Sequence, residues 1–151
     1  MAADRISQGE LALGRVILLA TDSIGMDCEG ACWLYDQADG WRFYLITSLL
    51  ASLGPRVIYL ILEEILAKKV SRDECANIAI YIATPNDYLV KKIGKLIQTD
   101  AYSTVPREVS FDHEGSAAHA IVYRLSAEMS ESATRSAGRR FKKMSRQLVG
   151  V

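Results

Sequence analysis

Apolar residues recur along this chain with two periods, one near three and a half and one of two, and the switches between them divide it into elements. Ile6, Leu13, Val16, Ile17, Ala20 and Ile24 fall at helical spacing, which predicts a helix from about Ser7 to Ile24. Ser7 followed by Glu10 has the form of a capping box, while Gly9 and Gly14 weaken the helix. Residues 30–36 and 41–49 are rich in aromatic and branched side chains and are separated by Asp39-Gly40, a hairpin signal. A two-residue loop there would pair Ala38 with Trp41 and Tyr35 with Tyr44. The next helix is predicted from Pro55 to Lys69, with Ile58, Ile61, Leu62, Ile65 and Leu66 inward and a Glu64–Lys68 pair outward.

The run "NIAIYIAT", 77–84, is apolar at successive positions, as expected of a central strand covered on both faces. A helix start comes next, with Thr84 as the expected cap, Pro85 in the first turn and Asp87 at the positive end of the dipole. Leu89, Ile93, Leu96 and Ile97 lie along one side of that helix. Two further strands, near 105–111 and 118–125, are joined by "DHEGSAA". The order predicts an α+β fold bordering on α/β: a mixed sheet of about five strands, built from two hairpins and a crossover-connected central strand, with three to four helices. Residues 1–126 form the expected domain, and 127–151 a basic amphipathic C-terminal helix or tail.

Composition changes this picture little. Half the residues are hydrophobic and 24% are charged, the balance of a soluble globule. The window 43–66 is apolar enough to imitate a membrane span, but it carries Gly54, Pro55 and Arg56 at its centre. A strand, a turn and a helix account for the same letters, so no transmembrane segment is expected. Asp4, Arg5 and Glu10 interrupt the stretch where an export signal would need an apolar core. With three cysteines, an odd number, the expectation is a reducing compartment, the cytoplasm.

Charge changes the picture more. Arg135, Arg139, Arg140, Lys142, Lys143 and Arg146 are six of 18 basic residues, and no acidic residue follows Glu131. Residues 1–134 therefore hold 12 basic groups against 18 acidic ones, a net of −6, which the last segment neutralises. On a helix, Met129, Ala133, Ala137, Phe141, Met144 and Leu148 form an apolar stripe beside a row of Arg135, Arg139, Lys143 and Arg146.

Candidate chemistry is thin. Cys28 and Cys32 have C-x3-C spacing, and on one strand they would share a face about 13 Å apart, beyond a disulfide or a shared zinc ion. The histidines, in "DHEGSAAHA", miss the H-E-x-x-H spacing because position 117 is Ala. Asp22, Asp27, Glu29, Asp112 and His113 remain as a weak candidate cation site, the basis of an alternative reading as a metal-assisted hydrolase or nuclease. "GELALGRV" has P-loop glycine spacing without its Lys and Ser/Thr, and neither a nucleophile elbow nor a dinucleotide fingerprint occurs.

The positive signal is the basic segment. The sequence points to a non-catalytic binding or assembly module without a cofactor, in which Arg135, Arg139, Arg140, Phe141, Lys142, Lys143, Met144 and Arg146 contact a protein partner or a second copy. The stripe could instead dock on the chain's own sheet and leave the basic face exposed, and contact of the tail with nucleic acid or an anionic membrane is the further alternative.

Overall fold

The computed structural model describes residues 5–69, 79–100 and 102–126. The predicted C-terminal helix, and with it every basic candidate from Arg135 to Arg146, lies outside the described residues, as do Cys75 and the start of the run 77–84. The described elements are α1 (Gln8–Ser23), β1 (Gly30–Asp36), β2 (Gly40–Ile46), α2 (Leu49–Leu53), α3 (Pro55–Lys69), β3 (Ile80–Ala83), α4 (Tyr88–Gly94), β4 (Arg107–His113) and β5 (Ser116–Leu125). The fold is α+β, with four helices and one five-stranded mixed sheet among the described residues.

Helix α1 starts as expected: Ser7 Oγ accepts from the Glu10 N–H, and the Glu10 carboxylate accepts from the Ser7 N–H. It closes at Gly25, where φ is +79° and the Met26 and Gly25 N–H groups donate to the Thr21 and Asp22 carbonyls. That is a Schellman closure, which needs the left-handed conformation glycine adopts freely.

The strand order is β3-β2-β1-β5-β4, antiparallel throughout except that β3 runs parallel to β2. The crossover between β2 and β3 is present, but β3 sits at the sheet edge and β1 is central. Four residues of β3 pair with β2, and its apolar run is covered from α3, where Tyr59 donates its hydroxyl to the Ile80 carbonyl. The hairpin turns also differ from expectation. Asp36 pairs with Gly40 and Tyr35 with Trp41, which leaves Gln37, Ala38 and Asp39 in the first turn. The Asp36 carboxylate closes that turn by accepting from the Asp39 N–H at 2.7 Å. A two-residue turn with both central residues at positive φ occurs instead at Glu114-Gly115, where φ is +52° and +81°. Helix α4 is capped by Asp87, whose carboxylate accepts from the Leu89 and Val90 N–H groups, and not by Thr84.

Alternation along the strands makes two cores. Ala31, Trp33, Phe43, Leu45, Ile121 and Tyr123 pack against α1 and α3. Cys32, Leu34, Ile46, Ala120 and Val122 face α4 through Val90 and Ile93. The register between β1 and β5 slips between Ala31, opposite Arg124, and Cys32, opposite Val122, so Tyr123 is an extra residue. This bulge turns Tyr123 and Arg124 toward α1 together. There the Tyr123 hydroxyl accepts from Trp33 Nε1 and donates to the Leu11 carbonyl at 2.6 Å.

Helix α1 comes this close to the sheet because position 14 is glycine. A Cβ there would lie 2.7 Å from both Trp33 Nε1 and the Tyr123 hydroxyl oxygen. Gly14→Ala gains about 1 kcal/mol of helix propensity but overpacks a hydrogen-bonded pair, which costs about 1–3 kcal/mol. The expected outcome is a net loss, read as a lower thermal midpoint by calorimetry. A raised midpoint would show that the helix can lift away freely.

Candidate functional site

The residues that could carry chemistry are dispersed, and Asp22 and Glu29 are held by structural partners. Asp22, at the last turn of α1, forms a two-pronged pair with Arg124: Nη1 donates to Oδ1 at 2.9 Å and Nη2 to Oδ2 at 2.7 Å. Arg124 also donates to the Cys28 carbonyl and, through Nε, to the Ser103 carbonyl, so four of its five N–H groups are used. Its guanidinium is fully buried, and the Tyr102 ring lies 5.3 Å from it. Tyr102 reaches that place with φ at +65°, an uncommon backbone conformation for a bulky residue.

Glu29 is held by the chain entering α2, where its carboxylate accepts from the Ser48 N–H at 3.0 Å and the Ser48 hydroxyl at 2.6 Å. It thereby satisfies the N–H of the cap residue, while Thr47 Oγ1 accepts from the Leu49 N–H and the Ser48 side chain makes no cap bond. Asp27 adopts a positive φ of 44° in the connection before β1. Asp112 and His113 sit at the opposite end of the sheet, beside the Glu114-Gly115 turn. Asp112 pairs with Ala117 and Arg124 with Ala31, so the two groups are separated by most of the length of β5, about 23 Å at the usual rise per residue. The five candidate ligands therefore do not converge. Among the described residues, no group of three or more His, Cys, Asp or Glu side chains could hold a metal ion.

The thiols differ from expectation in placement. Cys28 precedes β1 and packs in the core beneath α1, whereas Cys32, on β1, points into the core beneath α4. They are free thiols on opposite faces of the sheet, not two groups sharing one face. Burial pushes both up to about 12, away from the thiolate that nucleophilic or metal chemistry needs.

A constellation not visible in the sequence lies at the turn end of the α4 face. Arg42 pairs with Asp36 at 2.8 Å and Asp39 at 3.5 Å, and its guanidinium lies 5.7 Å and 5.6 Å from the Tyr44 and Tyr81 ring centres. The two tyrosine rings stack at 5.2 Å because β3 joins β2 in parallel register, opposing Tyr44 and Tyr81. Burial raises the Tyr44 phenol, with Arg42 acting in the other direction. Arg42 Nε and His113 Nδ1 are buried without a hydrogen-bond partner among the described residues. Both residues line a depression of about 20 Å³ shared with Leu34, Asp36, Leu89 and Phe111, room for about one water molecule. The sequence signal for this cluster is a pair of tyrosines in two strand-like runs, but only the strand register brings them together.

The outer faces of α1 and α3 supply a different kind of surface. Val16 and Leu19 on α1, and Tyr59 and Leu60 on α3, are exposed large apolar residues. Glu63 and Glu64, also exposed, lie three and four residues beyond Leu60, on the same helix face. No helix of the described residues is long and apolar enough to cross a membrane. No protein-family model matches the chain, and no curated protein or solved structure matches it.

These environments make two outcomes testable. Removing one partner of the buried pair, by Arg124→Ala or Asp22→Asn, should cost about 3–5 kcal/mol in urea unfolding, whereas the apolar double replacement Arg124→Met with Asp22→Leu should recover much of it. Equal losses in all three variants would show that the pair contributes through packing alone. The peptide carrying Cys28 and Cys32 should resist iodoacetamide at pH 8 in the folded protein and label on denaturation, as mass spectrometry would record. Because these thiols ionise near 9 when unfolded and near 12 when folded, their contribution to stability is complete below about pH 9 and is lost as pH rises toward 12. Urea midpoints should accordingly be lower at pH 10.5 than at pH 8.

Proposed function

We propose that this protein is a non-catalytic binding and assembly module whose basic C-terminal segment contacts a second copy of the chain. The carrying observation is the segregation of charge: six cations beyond residue 134 with no acidic residue after Glu131, against 12 basic and 18 acidic groups before it. Opposite net charges at two ends of a chain favour head-to-tail or reciprocal contact between molecules, where each body meets the other's tail. The apolar stripe of Ala137, Phe141, Met144 and Leu148 adds the desolvated area that charge alone does not supply. That Asp22, Glu29 and Asp36 are each occupied by a structural partner supports the non-catalytic part of this reading.

The same six cations would also suit phosphate, which makes duplex nucleic acid the second reading. It predicts an affinity that falls steeply with salt, with a slope set by the number of phosphates contacted.

Deleting residues 135–151 should convert an oligomer into a single chain by multi-angle light scattering, and the shortened chain should still unfold in one cooperative transition by calorimetry. Molar salt should weaken the full-length oligomer in the same direction. A truncated chain that scatters like the full one removes the basis for assembly through this segment.

A further inference from the structure

We infer that the α4 face of the sheet binds one ordered water molecule at its turn end, where the water joins the β1–β2 hairpin to the β4–β5 hairpin through Arg42 and His113. On that face β5 presents only methyl groups in two successive rows: Ala118 lies opposite Phe111, and Ala120 lies between Leu34 and Val109. Small residues on an interior strand leave a dip that longer neighbours must reach across. Arg42 does so from β2, on the same face as its partner Leu34, and His113 does so from β4, two residues beyond Phe111. Each brings a nitrogen that no other contact uses. Arg42 commits Nη2 to Asp36 at 2.8 Å and Nη1 to Asp39 at 3.5 Å, which leaves its Nε–H. His113 places Nε2 4.0 Å from a Glu114 carboxylate oxygen, which leaves Nδ1. Both remaining nitrogens are buried with no hydrogen-bond partner among the described residues, and both residues line the same depression. Two such atoms in one small space call for a common partner, because a buried polar atom left unpaired is costly.

Size, hydrogen bonding and charge select water as that partner. The depression, about 20 Å³, exceeds the roughly 10–15 Å³ that one water needs. The water oxygen accepts from the Arg42 Nε–H, and one of its O–H groups donates to His113 Nδ1. The Asp36 carboxylate, which also lines the depression, takes the other O–H, and three bonds are usual for a buried water. A small anion is disfavoured, because Asp36, Asp39 and Glu114 outnumber the cations Arg42 and Lys92, the latter 5.9 Å from the Phe111 ring centre. Leu34, Leu89 and Phe111 supply apolar walls that keep the water in one place. The arrangement also sets the tautomer of neutral His113, with the proton on Nε2 toward Glu114 and the lone pair on Nδ1 toward the water.

Two measurements on the full chain test the site directly. A high-resolution crystal structure should show one water within about 3.2 Å of both nitrogens. Long-range proton–nitrogen correlation spectra at about pH 8, above the usual histidine range, should find His113 protonated on Nε2 and bare on Nδ1. Variants then test the bridge. His113→Phe keeps a ring and removes the acceptor, so the water should be lost. Amide exchange at Asp39, whose N–H is held by Asp36, should then quicken about fivefold, the worth of one hydrogen bond. His113→Asn puts a carbonyl oxygen near the place of Nδ1 and should retain both the water and the slow exchange. A wild-type structure with no water between the two nitrogens, or a proton found on Nδ1, overturns the inference even if His113→Phe does not fold. A water that stays in place in His113→Phe, with exchange unchanged, also overturns it, because the site would then belong to Arg42 and Asp36 alone.

Discussion

A fully buried guanidinium is among the most costly groups a small domain can contain, and the arrangement at the Gly30 end of the sheet results from accommodating one. Arg124 is received by the Asp22 carboxylate, two backbone carbonyls and the face of Tyr102. Those partners come from the end of α1, the connection into β1 and the segment after α4. One side chain on β5 thus ties together pieces of chain that share no continuous secondary structure. The β-bulge makes this possible. Without the extra residue at Tyr123, strict alternation would turn Arg124 toward the α4 face, where Cys32, Ile46 and Val122 offer no partner.

The same bulge explains the close approach of α1. Tyr123 and Arg124 both face that helix, one beneath its middle and one at its end. The tyrosine hydroxyl bonds the Leu11 carbonyl and the arginine bonds Asp22, so the helix is held at two points about three turns apart. Gly14 lies between them, where any side chain would meet the Trp33–Tyr123 pair. A glycine that reads as a weakness in helix propensity is therefore the residue that sets the distance between layers.

Local chemistry makes much of the fold legible. The Ser7–Glu10 capping box, the Pro55 start of α3 and the inward-facing residues of that helix obey short-range rules, and the structure has all of them. Features that depend on long-range information are not legible in the same way. The apolar run ending at Ala83 reads the same whether its cover comes from two neighbouring strands or from one strand and Tyr59 of α3, so its edge position is hidden. Asp39-Gly40 has the composition of a two-residue turn, but Asp36 accepts the Asp39 N–H and stabilises a longer one. Cys28 and Cys32 share a face only if extension continues back through residue 28; the strand begins at Gly30, as its aromatic and branched residues indicate, and the chain before it carries Cys28 to the α1 side. The Arg42–Tyr44–Tyr81 cluster depends on a parallel register between β2 and β3, with α2 and α3 intervening in the chain. No single-segment pattern encodes that.

The polar side chains of the described body act mainly as fasteners. Asp22 holds a buried arginine, Glu29 holds the start of α2, and Asp36 both closes a turn and orients Arg42. A carboxylate committed to a short, multiply bonded contact is poorly placed to exchange protons or ligands, because leaving the contact would strand its partner in a desolvated position. An exposed leucine on a helix is ordinary in itself. Leu60 shares its helix face with exposed Arg56 as well as with Glu63 and Glu64, so that face is of mixed sign. The residues that seal α1 and α3 to the sheet lie on the opposite side of those helices, so the exposed positions can change without opening the core.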